Sequence, residues 1–242
     1  PRDVVVDRAG NVYLTGGFQA CIRRYSPPSW ATPTVIAGEC QVVSNTHAPN
    51  HGIPVGDALT DPLALRSYVI DQIAALPDGS LVFSAGLDWR ASRLLRFRPS
   101  GPAGVVDAIA LADFDDFYTR IDDLGVDPDG SLVVLASQRI RRLTADSAWT
   151  VLAGSDSASP NVSEPVLRTS LRIESTGSRE SMSLDSLGRV YFSHPRVTAS
   201  GARVMRVDGD SVSTFAGPPI GDAGVEDDVC AVTAPDLTGQ LR

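Results

Sequence analysis

One turn, written four times, constrains this 242-residue chain more than any other feature. A glycine closes a short polar corner and an apolar run follows it. The copies are Asp7-Arg8-Ala9-Gly10-Asn11-Val12-Tyr13-Leu14, Leu76-Pro77-Asp78-Gly79-Ser80-Leu81-Val82-Phe83, Asp127-Pro128-Asp129-Gly130-Ser131-Leu132-Val133-Val134 and Asp185-Ser186-Leu187-Gly188-Arg189-Val190-Tyr191-Phe192. Glycine supplies the positive φ of a tight hairpin, and Pro-Asp presets the corner in the middle two copies. An apolar segment precedes each turn, at 4–6, 73–75, 124–126 and 182–184. Each copy therefore predicts two short antiparallel strands.

A second landmark follows each hairpin: Cys21-Ile22-Arg23-Arg24-Tyr25, Arg93-Leu94-Leu95-Arg96-Phe97, Arg139-Ile140-Arg141-Arg142-Leu143 and Arg203-Val204-Met205-Arg206-Val207. Arginine mixed with apolar residues fits a half-exposed strand. Arg24, Arg96, Arg142 and Arg206 hold the same place in all four, where a solvated outer face is the simplest role. A third landmark, ending in Ala-Gly, closes three copies at 34–38, 150–154 and 213–217; the second copy keeps only Val105-Val106. Four strands repeated four times make four small antiparallel sheets. Such sheets cannot bury both faces alone and must stack side by side around an axis.

The expected fold is all-β: a β-propeller of four four-stranded antiparallel blades. The blades are expected near 1–38, 71–110, 119–154 and 179–217. The hairpin glycines are 69, 51 and 58 residues apart. The excess over a short propeller repeat falls in 39–68, 155–178 and 218–242, which are rich in Gly, Pro, Ser, Thr and Asp and read as loops. A Leu-Arg pair recurs there as Leu65-Arg66, Leu171-Arg172 and Leu241-Arg242. By its phasing, 218–242 leads to a fifth blade, and the single 1–242 domain is expected to be part of a larger, six-bladed propeller.

With these landmarks, the chain resembles the NHL-repeat β-propeller family. The matching stretches are PRDVVVDRAGNVYLTGG, CIRRY and TVIAG, together with the linkers GDALTDPLALRS and GDAGVEDDVCAVTAPDL. The resemblance implies a fold, because turn glycines and strand positions carry it. It also implies a range of roles: protein- or ligand-binding surfaces, extracytoplasmic sensors, and metal-dependent lyases or lactonases. A metal-centred lyase would need spaced histidines, and this chain has only His47, His51 and His194.

Charge excludes more than it includes. The net charge of −8 disfavours nucleic acid and anionic membrane surfaces. No apolar run approaches the roughly 20 residues that cross a bilayer. All 21 basic residues are arginine, so catalytic-lysine chemistry is excluded. The sequence shows no GxSxG, HExxH or P-loop pattern. Cys21, Cys40 and Cys230 have no zinc spacing; Cys21 and Cys40 could pair in an oxidising compartment.

Three candidate sites emerge. Aligned hairpins put Asp3, Gln72, Asp123 and Ser181 at one inner-strand position, and Arg2, Asp71, Asp122 and Glu180 one residue earlier. This mostly acidic rim of a central channel suits a cation or a basic ligand; a solvated strand entry is the plain alternative. His47 and His51 could bind metal from a loop, although Pro49 and Gly52 argue against a chelating helix. Asp113-Phe114-Asp115-Asp116-Phe117-Tyr118 could dock on a neighbouring blade or form a protein-binding patch.

The expected function is non-catalytic binding of a protein or small-molecule ligand through inter-blade loops and the channel mouth. The competing expectation is a metal-dependent lyase or lactonase with its site on the axis. No cofactor is expected beyond a candidate divalent cation. No nucleic acid or membrane partner is expected, and open blade faces should make the isolated chain self-associate. Its lack of lysine and its resemblance to bacterial propellers point to an extracellular or periplasmic address.

Overall fold

A computed structural model describes residues 1–16, 19–42, 58–65, 67, 69–86, 91–100, 104–109, 120–144, 148–155, 165–173, 181–194 and 203–217. The first sheet is a meander of β1 (Val4–Val6), β2 (Val12–Gly16), β3 (Gln19–Tyr25) and β4 (Thr34–Val42). The second has β6 (Val69–Ala75), β7 (Leu81–Gly86), β8 (Ala91–Arg98) and β9 (Val105–Ala108), with β5 (Ala58–Leu59) added beyond β9. The third is β10 (Ile121–Val126), β11 (Leu132–Ala136), β12 (Arg139–Leu143) and β13 (Trp149–Ala153). The fourth is β15 (Met182–Leu184), β16 (Val190–His194), β17 (Arg203–Asp208) and β18 (Ser211–Ala216), with β14 (Val166–Leu167) beyond β18.

The four turns share one geometry. Gly10, Gly79, Gly130 and Gly188 have φ of 81°, 82°, 91° and 75°. Each donates its N–H to the carbonyl three residues earlier at 2.8–3.0 Å. This is a tight turn closed by a left-handed glycine, the geometry that lets two strands leave antiparallel. The Ala-Gly landmark has a different cause. A Cβ on Gly38 would lie 2.1 Å from the Ala20 carbonyl oxygen, and one on Gly154 2.3 Å from that of Gln138. The neighbouring strand comes too close for any side chain.

Parts of the linkers that read as loops are ordered structure. β4 continues four residues past Gly38, and β5, β14 and a 3-10 turn (Pro62–Ala64) lie where loops were expected. β5 and β14 pair with the outer strands β9 and β18, so two sheets have five strands rather than four. An edge strand leaves unpaired N–H and C=O groups, and a two-residue strand from the linker satisfies some of them. Leu65 and Leu171 of the recurring Leu-Arg pair are fully buried, Leu65 within the core shared by the first two sheets.

The chain divides into two compact units, Pro1–Ser137 with Arg142–Thr150, and Gln138–Arg141 with Val151–Arg242. In the first, sheets pack face to face. Tyr13, Ile22 and Ile36 of the first sheet meet Ile73, Phe83, Leu95 and Phe97 of the second. The other face of the second sheet, with Val82 and Leu94, meets Ile121, Leu124, Leu132 and Val134 of the third. Every residue of β7 is buried, as expected of a strand covered on both faces. In β1, by contrast, Val5 packs inward while Val4 and Val6 are 56% and 58% exposed. The second unit buries Leu171, Ile173, Phe192, Met205 and Val212, and Tyr191 meets Phe215 edge to face at 4.9 Å.

Candidate functional site

The inner strands β1, β6 and β10 of the first unit lie side by side and start at the same end. The Asp3 carboxylate accepts the Ile73 N–H at 2.9 Å, and the Thr15 hydroxyl donates to the Asp71 carbonyl at 2.8 Å. The Gln72 side-chain amide donates to the Asp122 carbonyl at 2.6 Å. These bonds run from sheet to sheet. Asp3, Asp71, Gln72 and Asp122 thus come together as a rim, and Asp123 follows Asp122 on β10. Ser181 is exposed at the start of β15, in the second unit. Glu180 lies outside the described residues.

The rim carries its own counter-charges. Arg2 Nε lies 3.7 Å from the Asp71 carboxylate, and Arg120 Nε lies 2.8 Å from that of Asp122. Asp71 and Asp122 are buried, whereas the Arg2 and Arg120 side chains remain 31% and 25% exposed. Burial pushes the Asp71 carboxyl above its usual range, the Arg2 and Arg120 charges pull it back, and Asp3 adds to the rise. Asp71 and Asp122 therefore work inside the rim, and the Arg2 and Arg120 guanidinium groups lie nearer solvent. The Asp123 carboxylate accepts the adjacent Leu124 N–H, and the Gln72 backbone N–H is itself held by the Ser84 hydroxyl of β7.

Three of the four repeated arginines pair with aspartates. Arg96 Nη2 binds Asp78 in its own hairpin turn at 2.5 Å, and its Nε donates to the Ser80 hydroxyl. Arg142 pairs with Asp127 of its turn, and Arg206 with Asp208. Arg24 faces Tyr13 in register, and Arg206 faces Tyr191. In those two sheets the tyrosine hydroxyl reaches the turn carboxylate instead: Tyr13 binds Asp7 at 2.9 Å and Tyr191 binds Asp185 at 3.3 Å. Burial and the bond to Asp7 push the Tyr13 phenol up to about 12. Sequence reasoning missed these aspartates. The signal was present, because Asp7, Asp127 and Asp185 stand three residues before the turn glycine in three of four copies.

Cys21 and Cys40 form a disulfide joining β3 to the extension of β4. His194 is buried, and its Nε2 lies 3.2 Å from the Arg172 carbonyl, so that nitrogen is the donor. Among the described residues, no group of three or more His, Cys, Asp or Glu side chains is placed to hold a metal ion. His47, His51 and the 113–118 stretch lie outside the described residues. No described helix is long and apolar enough to cross a membrane.

No family profile and no curated protein matches the sequence. Solved structures do. An auxiliary nutrient-binding protein from Bacteroides ovatus aligns with a TM-score of 0.56 at 12% identity, over 89% of this chain and 47% of that one. A protein of unknown function from Bacteroides thetaiotaomicron gives 0.51 at 16% identity, over 87% and 46%. A candidate gluconolactonase gives 0.50 at 16% identity, over 90% and 63%. This chain spans about half to two-thirds of their lengths. At such identities the likeness shows the fold alone: the chain is all-β and built of β-propeller sheets.

Proposed function

We propose that this chain is a non-catalytic, NHL-like propeller module that binds a small-molecule or protein ligand at the channel mouth where β1, β6 and β10 begin. The order of charges around that mouth, Arg2, Asp71, Arg120 and Asp122, carries the reading. Buried carboxylates hold two partly exposed guanidinium groups in place, and the sheet-to-sheet bonds of Asp3, Gln72 and Thr15 stiffen the frame. Donors fixed in advance lose little entropy on binding. They suit a ligand that offers carboxylate, phosphate or carbonyl acceptors. The nutrient-binding neighbour is in keeping with this role.

The same fold carries the candidate gluconolactonase, so fold does not choose between binding and catalysis. What favours binding is the rim: Asp71 and Asp122 face Arg2 and Arg120, while the Asp3 and Asp123 carboxylates accept backbone N–H groups. The module in this reading needs no resident cofactor. It works in an oxidising compartment outside the cytoplasm, in keeping with the Cys21–Cys40 bond. The two classes separate by calorimetric titration with calcium, alongside assays on simple lactones with and without chelator. No saturable calcium heat and no turnover support the binding module. Calcium binding that is lost in Asp71→Asn, with chelator-sensitive turnover, would establish the enzyme.

A further inference from the structure

The opposite ends of the same three strands enclose a second recess. It holds about 170 Å³ and is lined by Val6, Asp7 and Arg8, by Ala75, Leu76 and Pro77, and by Val126, Asp127 and Pro128. Each sheet contributes the last inner-strand residues and the first residues of its hairpin. The four strand steps from Asp71 to Ala75 put this cup roughly 13 Å from the rim. Val6, 58% exposed, turns part of its open surface into the cup.

The polar lining is unequal. Both oxygens of Asp7 are filled: Oδ1 accepts the Ala9 and Asn11 N–H groups at 2.9 and 2.8 Å, and Oδ2 accepts Asn11 Nδ2 and Tyr13 Oη at 2.8 and 2.9 Å. A carboxylate offers about four acceptor positions, so none is left over. Asp127 is buried against Arg142. Arg8 is different. It is exposed at the lip, and among the described residues no carboxylate lies within ion-pair distance of it. The remaining lining is aliphatic: two valines, a leucine, an alanine and two proline rings.

We infer that this cup is a second binding site, for a small monocarboxylate whose aliphatic or aromatic body rests on Val6, Ala75, Leu76 and Val126 while its carboxylate pairs with Arg8. A recess of about 170 Å³ suits the body of a short acid. A neutral amide of the same shape keeps the apolar contact and loses the ion pair.

The test is ligand-observed NMR titration of butyrate, benzoate and benzamide into the whole chain. The variants are Arg8→Gln, Val6→Asp and the rim pair Arg2→Gln/Arg120→Gln. Arg8 and Val6 are exposed, so both cup variants should fold. The expected result is saturable binding of the acids, weakened roughly tenfold in Arg8→Gln and in benzamide relative to benzoate. Binding should be lost in Val6→Asp and unchanged in the rim variant. Absence of saturable binding overturns the inference, as does binding that survives Arg8→Gln or disappears only with the rim arginines. Such a failure would leave the proposed role of the rim standing.

Discussion

The Asp3 carboxylate accepts the backbone N–H of Ile73 across 2.9 Å, tying the first residues of one sheet to the inner strand of the next. A backbone donor in the interior of a sheet stack must find an acceptor, and here a side chain from the neighbouring sheet supplies it. Asp3→Ala should destabilise the protein by about 1–3 kcal/mol, because the Ile73 donor loses its partner. Asp3→Asn, which keeps an acceptor oxygen, should lose less. Urea unfolding of the three proteins checks the order.

The Asp7 turn predicts a pH effect with a definite sign. Burial raises the Asp7 carboxyl, but bonds from Asn11, Tyr13 and Ala9 outweigh it and hold the group below its usual range. A folded-state value below the unfolded one gives stability that is complete above the unfolded value. That stability is lost as pH falls through the folded value. Asp7→Asn should therefore be less stable than the wild type by about 1 kcal/mol near neutrality. The gap should close below the ordinary carboxylate range. Thermal melts from pH 7 to pH 2.5 measure both.

Arg142 and Asp127 should behave as a pair. Asp127 is buried, and burial pushes its carboxyl up while the Arg142 charge opposes that rise. Arg142→Met leaves a buried carboxylate without its cation and should cost about 2 kcal/mol, less than for a fully buried pair because Arg142 is partly exposed. Asp127→Asn in the same background should recover part of it. A double-mutant cycle reads the coupling directly.

The fold was legible because its punctuation is chemical. Gly10, Gly79, Gly130 and Gly188 stand where only a left-handed residue turns the chain, and short apolar runs flank them on both sides. What escaped was contributed by partners far away in sequence. Nothing local in Ala58-Leu59 or Val166-Leu167 marks a strand; an outer strand seeking a neighbour makes them one. Alignment brought the rim residues to one level but could not show their engagement. Seeing that Asp71 faces Arg2 from another sheet and feels Arg120 from a third requires three sheets in place. Arg96 and Arg142 looked like surface charge because their aspartates lie a strand away.

The Cys21–Cys40 bond closes a loop with a separation of 19 residues. A loop of this size gives a crosslink worth about 3 kcal/mol in the chain-entropy account. The Cys21→Ser/Cys40→Ser variant, or reduction of the wild type, should lower the denaturation midpoint accordingly. An unchanged midpoint would show that the first sheet holds its β4 extension without the bond.

The rim is best probed by a ligand-observed NMR screen of small carboxylates, phosphates and sugar acids against the wild type and Arg2→Gln/Arg120→Gln. At least one ligand should bind the wild type, lose roughly tenfold or more in affinity in the variant, and be recovered chemically unchanged. Ligands that bind both proteins equally, or that emerge hydrolysed, would contradict the proposed binding role.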